Sequence, residues 1–243
     1  SPRPAKRQKR LLRDPGQEAA RTRQRAAASR GNAFAMLQEG VALLAEGDEK
    51  AGAALLEKSA HAGDAMAQVE FAGCLLRGTG VAVDKTRAVG MLQKAAAAGD
   101  SAAMISLSAE LGHDDGEGLS WLQKAATAGD TVAMQLLGRV FLSQSDIAKL
   151  GIEWLQRAVD QGDAAACVTL GTHFLQTNEA KRAYSLFLLG AERGLASAMS
   201  NLGRCLLTGL GCEANVKSAV SWLLKATDRG DLTAWSRLGA CFD

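Results

Sequence analysis

No run of 18 apolar residues occurs in this 243-residue chain, so the sequence contains no helix suited to crossing a membrane. Aromatic residues are scarce, 5% of the chain against 47% hydrophobic residues overall. A core of that composition is built largely from alanine and leucine, which suits closely stacked helices better than a core of large rings. Only three histidines are present, and no Ser, Cys or Lys has an identifiable base beside it at a recognised catalytic spacing. Gly78-Thr79-Gly80 lacks the Gly-Lys-Ser/Thr ending with which a phosphate loop holds its nucleotide. His113-Asp114-Asp115-Gly116-Glu117 has oxygens for a hard cation but no fixed geometry, and reads as a solvated turn. These absences argue against an enzyme, a cofactor, a resident metal and a small-molecule substrate.

What the chain does have is a period. Gly63, Gly99, Gly129, Gly162, Gly194 and Gly230 follow one another at intervals of 36, 30, 33, 32 and 36 residues, and all but Gly194 precede an aspartate. A period in this range marks a stacked-repeat architecture, whose members bind partners more often than they catalyse reactions. Four residues after each glycine stands alanine: Ala67, Ala103, Ala133, Ala166, Ala198 and Ala234. Eight after stands Phe71, Leu107, Leu137, Leu170, Leu202 or Leu238, followed by a small residue. Eleven before is always glycine or alanine, and eight before is Leu55, Met91, Trp121, Trp154, Leu186 or Trp222.

Columns 4, 5, 8, 11 and 12 after the glycine share one face of a 3.6-residue helix, and columns 11, 8 and 4 before it share a face of a second. Each repeat is therefore expected to be two antiparallel helices, with the small columns where axes approach closely and the Trp, Met or Leu column filling the space between. Glycine ends one helix in the left-handed conformation and aspartate caps the next. Leu195 breaks that pattern, with Ser197 as the substitute cap. His61 reads as an exposed helix end and His173 as a core histidine. Glu110, a charge in a core column, reads as a local irregularity before a short loop, with a partner contact as its rival.

The loop Gly78-Thr79-Gly80-Val81-Ala82-Val83-Asp84-Lys85-Thr86-Arg87-Ala88 recurs in repeat six as Gly209-Leu210-Gly211-Cys212-Glu213-Ala214-Asn215-Val216-Lys217-Ser218-Ala219, followed by Trp222-Leu223-Leu224-Lys225-Ala226. On these residues the chain resembles the Sel-one-like repeat family, a relative of tetratricopeptide repeats, over roughly residues 33 to 243. Repeats one, three, four and five lack the Gly-x-Gly loop. The resemblance implies an adaptor or scaffold for protein assemblies. Some secreted members of that family staple each repeat with a cysteine pair, but here the Lys-Ala-Ala columns hold no cysteine. Cys74, Cys205 and Cys241 share one column in different repeats, on the order of 10 Å apart between neighbours, beyond the roughly 7 Å that a disulfide tolerates. With Cys167 and Cys212 they are expected to be free, buried thiols.

The fold expected is all-α: an α/α superhelical solenoid of about six and a half helix-pair repeats over residues 31–243, preceded by a basic arm over residues 1–30. The arm holds ten Lys and Arg against Asp14 and Glu18, a net +8, and the remainder carries −6. Its prolines extend residues 1–5, and Gln17 to Arg30 reads as an Ala- and Arg-rich helix running into repeat one. Such a cluster serves as a phosphate-binding arm, an import signal or a solvated tail. We expect Arg3, Lys6, Arg7, Lys9, Arg10 and Arg13 to contact RNA phosphate. On the solenoid's inner, concave face, Arg139, Asn201, Arg204 and Arg237 are the expected protein-binding residues, suited to an acidic peptide or a phosphate backbone.

The start at serine and the Arg-, Ala- and Ser-rich opening fit removal of an organellar transit peptide. The half-repeat 232–242 leads us to expect either further chain beyond Asp243 or a partner covering that end. The leading reading is a non-catalytic scaffold subunit of a mitochondrial ribonucleoprotein such as the mitoribosome, with protein subunits and RNA as partners. The rival is a nuclear or cytosolic protein–protein adaptor whose arm is an import signal.

Overall fold

The computed structural model describes residues 24–28, 30–113 and 116–239. Among these residues there are thirteen fully described α-helices, a helical stretch at 24–28, one 3-10 turn at Ser145–Ile147 and no strand. The helices follow in pairs. α1 (Ala33–Glu46) runs into α2 (Glu49–His61), α3 (Ala65–Arg77) into α4 (Lys85–Ala97), and α5 (Ser101–Leu111) precedes α6 (Gly116–Thr127). α7 (Thr131–Leu142) pairs with α8 (Ala148–Asp160), α9 (Ala164–Gln176) with α10 (Ala180–Glu192), and α11 (Ala196–Thr208) with α12 (Val216–Asp228). α13 (Leu232–Gly239) is the half-repeat.

The chain divides into two compact units, Ser1–Leu111 and Gly112–Asp243, and the division falls at the shortened loop of repeat three. Within each unit every helix packs on the next, and first helices of successive repeats also touch: α1 with α3 and α3 with α5 in one unit, α7 with α9, α9 with α11 and α11 with α13 in the other. This is the packing of an α-solenoid.

The repeat junction follows from two residues. Each of the six glycines has positive φ, from 83° at Gly230 to 100° at Gly129. The next residue then caps the following helix, its side chain accepting from the N–H of the column alanine itself. Asp64 Oδ1 accepts from Ala67 N (2.9 Å), Asp100 from Ala103 N (2.8 Å), Asp130 from Ala133 N (2.9 Å) and Asp163 from Ala166 N (3.2 Å). Such caps are worth about 1 kcal/mol each. Leu195 caps α11 without a side-chain bond, and Ser197 does not replace it, because it already lies at the second helical position. The same junction occurs one step earlier than the six-glycine frame. Gly31 has φ 84°, and Asn32 Oδ1 accepts from Ala35 N at 2.9 Å.

All six alanines of the column four after glycine are fully buried, as are Phe71, Leu107, Leu137, Leu170 and Leu202. The second helices differ from expectation. Of the column eight before the glycine only Leu186 is buried; Leu55, Met91, Trp121, Trp154 and Trp222 are half-buried. The buried column lies one residue later: Leu56, Leu92, Leu122, Leu155, Phe187 and Leu223 are all at 0–1% exposure. These side chains pack onto the small column of the paired first helix. A Cβ on Gly138 would stand 2.5 Å from Leu155 Cγ, and one on Gly203 2.6 Å from Leu223 Cγ. The tryptophans instead flank the stack, each under a cation three residues on: Lys124 Nζ lies 3.9 Å from the Trp121 ring centroid, Arg157 Cζ 4.6 Å from Trp154 and Lys225 Nζ 4.3 Å from Trp222.

Repeat five keeps the same packing with different residues. Phe187 replaces leucine, and Gly190 replaces the usual alanine where a Cβ would come within 2.9 Å of Ala198 Cβ. The Phe187 ring lies on Gly171, where a Cβ would come within 2.8 Å of it. The Gly-x-Gly loops of repeats two and six also do the same job twice. A Cβ on Gly80 would collide with the carbonyl oxygen of Glu49 and stand 2.9 Å from Lys50 N. One on Gly211 would collide with the carbonyl oxygen of Ala180 and stand 2.9 Å from Lys181 N. Each loop is therefore seated on the first turn of the preceding repeat's second helix.

Candidate protein-binding face

The arm residues Arg3, Lys6, Arg7, Lys9, Arg10 and Arg13 lie outside the described residues, as do Asp114, Asp115 and Cys241. What is described of the helix leading into repeat one packs on it. Ala28 is buried against Ala35 and Met36, and Arg25 Nε donates to Glu39 Oε1 at 2.7 Å. Glu39 occupies the large apolar column of repeat one yet is only 4% exposed, and its Oε2 is buried without a hydrogen-bond partner among the described residues. Sequence reasoning missed this pair. Its signal was Gly31-Asn32, a junction with Asn in place of Asp, 32 residues before Gly63.

Three of the four residues expected to bind protein are brought together in the carboxyl-terminal unit. Arg204 and Asn201 lie on α11, Arg237 on α13, and these two first helices touch. Arg237 donates through Nη1 to Ser200 Oγ and through Nη2 to Asn201 Oδ1 (3.5 Å). Ser200 Oγ is also 3.0 Å from Thr233 Oγ1, which donates to Asp231 Oδ1. The Arg204 guanidinium is close enough to Arg237 that burial, and then the charge of Arg204, lower the Arg237 pKa from its ordinary value. Arg204 Nε is buried with no hydrogen-bond partner among the described residues. Two adjacent, half-buried cations form a surface complementary to a carboxylate. Arg139 is exposed on α7, a helix separated from α11 by α9, and does not join this group. Ser200 and Thr233 were not singled out by sequence, although their columns, six and three after a repeat glycine, share the first-helix face.

No group of three or more His, Cys, Asp or Glu among the described residues is placed to hold a metal ion. Cys74, Cys167 and Cys205 are free and buried, and Cys212 is free but only half-buried. Burial raises all four thiol pKa values, which keeps the thiols protonated and weakly nucleophilic. His61 is exposed at the end of α2, its Nδ1 2.8 Å from Glu57 O. His173 is half-buried at the edge of the core, its ring 5.8 Å from that of Phe174. Glu110 is exposed, one residue from the end of α5, so the column carries no buried charge there. No described helix is long and apolar enough to cross a membrane.

Comparison with known proteins agrees with this geometry. No curated protein matches the chain by sequence. Among solved structures, a protective antigen of uropathogenic Escherichia coli displaying an SLR fold is similar with a TM-score of 0.68 and 28% identity, over 91% of this chain and 51% of that one. The chain thus spans about half the length of that antigen. A Sel1 repeat protein from Oxalobacter formigenes is similar with a TM-score of 0.69 and 25% identity, over 84% of this chain and 89% of that one. An immunity protein from Pseudomonas aeruginosa shares the fold at 20% identity, with a TM-score of 0.58 over 83% of this chain and 82% of that one. The Sel1 repeat model matches residues 25–64, 65–100, 103–130, 133–163 and 196–231. It passes over repeat five, where Phe187, Gly190 and Leu195 depart from the usual residues while the helix pair persists. With more than half its length matched to that repeat and its helices paired accordingly, the chain belongs to the Sel1 repeat family.

Proposed function

We propose that the chain is a non-catalytic scaffold that holds protein segments against its first-helix faces within a larger assembly. Sel1 and tetratricopeptide-like repeat proteins act as protein-interaction scaffolds. The observation that carries the reading here is the Arg204–Arg237 pair with Ser200 and Asn201, which suits an acidic peptide segment. The test is quantitative proximity capture with the wild-type chain and with an Arg204→Gln/Arg237→Gln variant. Partners are expected to be lost from the variant by about tenfold, as for a charge pair worth about 1.4 kcal/mol, with an unchanged circular dichroism spectrum. An identical partner profile would overturn the reading.

The assembly we propose is a mitochondrial ribonucleoprotein such as the mitoribosome, with Arg3, Lys6, Arg7, Lys9, Arg10 and Arg13 along RNA phosphates. The arm's net +8 and its Arg- and Ala-rich composition support this. Replacing Lys6, Arg7, Lys9 and Arg10 by alanine is expected to weaken association with the assembly and to lower the salt slope by roughly three to four units on a duplex-like target. Association and slope that do not move would remove RNA from the reading. Loss of nuclear accumulation in the same variant would instead establish the rival: a nuclear or cytosolic adaptor with Lys6-Arg7-Gln8-Lys9-Arg10 as import signal.

A further inference from the structure

We propose that the first-helix face of the amino-terminal unit binds a short extended peptide carrying aliphatic side chains beside lysine or arginine. The inference deepens the scaffold reading and rests on it. A groove of 440 Å³ runs across α1, α3 and the start of α5, floored by Leu37, Val41, Met66 and Val69 and edged by Glu70 and Asp100. Its volume lies within the roughly 300–1,000 Å³ of ligand-holding clefts. Among the described residues no lysine or arginine lines it.

The aliphatic floor is not required by the stack. Met66 and Val69 occupy the columns three and six after a repeat glycine, and Ser197, Ser200, Thr233 and Ser236 fill those columns at the other end of the sequence. Packing therefore tolerates hydroxyls there. Yet Met66 is left 53% exposed and Val41 41% exposed, side by side in one groove. Contiguous exposed apolar surface with a polar rim marks an interaction site.

The rim selects the partner's charge. Glu70 is exposed, and Asp100, whose Oδ1 accepts from Ala103 N at 2.8 Å, adds a second carboxylate. A lysine or arginine is attracted here and a carboxylate is repelled, so the discrimination is electrostatic and the affinity aliphatic. Three adjacent helices at about 8–10 Å spacing span roughly 16–20 Å, the reach of about five or six extended residues.

The test uses the full chain and two fluorescein-labelled hexapeptides, Gly-Lys-Leu-Leu-Lys-Gly and Gly-Glu-Leu-Leu-Glu-Gly, followed by anisotropy. The lysine peptide is expected to bind saturably and about tenfold or more tighter than the glutamate peptide. Glu70→Lys is expected to cancel that preference, and Val41→Gln with Met66→Gln to weaken the lysine peptide about tenfold. Glu70 is exposed, so its variant reports on binding whatever the apolar pair does to folding. No saturation by the lysine peptide up to about 1 mM, equal binding of the two peptides, or an unaltered preference in Glu70→Lys overturns the inference. If that happens while Arg204→Gln/Arg237→Gln still loses protein partners, the groove alone falls and the scaffold reading stands.

Discussion

Replacing Gly211 by alanine is expected to destabilise the carboxyl-terminal unit by about 3 kcal/mol or more. Two penalties coincide at this residue. Its φ is +76°, where an L side chain is strained, and the new Cβ would collide with the carbonyl oxygen of Ala180. That oxygen is backbone in the first turn of α10, so it cannot rotate away as a side chain would. Gly209 supplies the control. Its φ is +71°, but a Cβ there would meet nothing nearer than Cys212 O at 3.6 Å. Gly209→Ala should therefore cost only the backbone term, about 1–2 kcal/mol. Urea denaturation of the two variants separates the terms, and equal losses would show that the loop is not seated on α10.

Leu155→Ala is expected to cost about 2–5 kcal/mol, and Trp154→Ala, despite removing a larger side chain, about 1–2 kcal/mol. Leu155 is fully enclosed, its Cγ within 2.5 Å of where a Cβ on Gly138 would stand, so its loss leaves a cavity bounded by two helix backbones that cannot close. Trp154 is half-buried, and part of its contribution is the contact with Arg157, 4.6 Å from the ring centroid. Denaturant midpoints at constant slope give both values. The reverse order would return the tryptophan column to the core.

That reversal is also the clearest measure of what the sequence could convey. Helix pairs, junction glycines, aspartate caps and the buried alanines were all legible, because each answers a demand made by its own neighbours within four residues. The choice between two adjacent apolar columns was not. They differ by about 100° on the helix, and side-chain size is a poor guide to burial where the tryptophans lie half-buried under cations. The Arg237–Ser200 contact joins residues 37 apart in sequence, in different repeats, and no local pattern announces it. The departures in repeat five are not explained by their neighbours in sequence. Phe187 has its reason in Gly171, where a Cβ would come within 2.8 Å of the ring, and Gly190 in Ala198, whose Cβ leaves no room for a methyl; both partners lie on other helices. The junction at Gly31 was hidden for a comparable reason: Asn stands for Asp, and Glu39 sits where leucine or phenylalanine would be.

The two seated loops bear on how the chain opens. A solenoid held only by neighbour contacts can fray one repeat at a time, each step coupled only to the next. Where a loop from one repeat is wedged onto the helix before it, the two cannot part independently. Gly80 ties α2 to the turn between α3 and α4, and Gly211 ties α10 to the turn between α11 and α12. Each unit thus contains one joined block that opens as a whole.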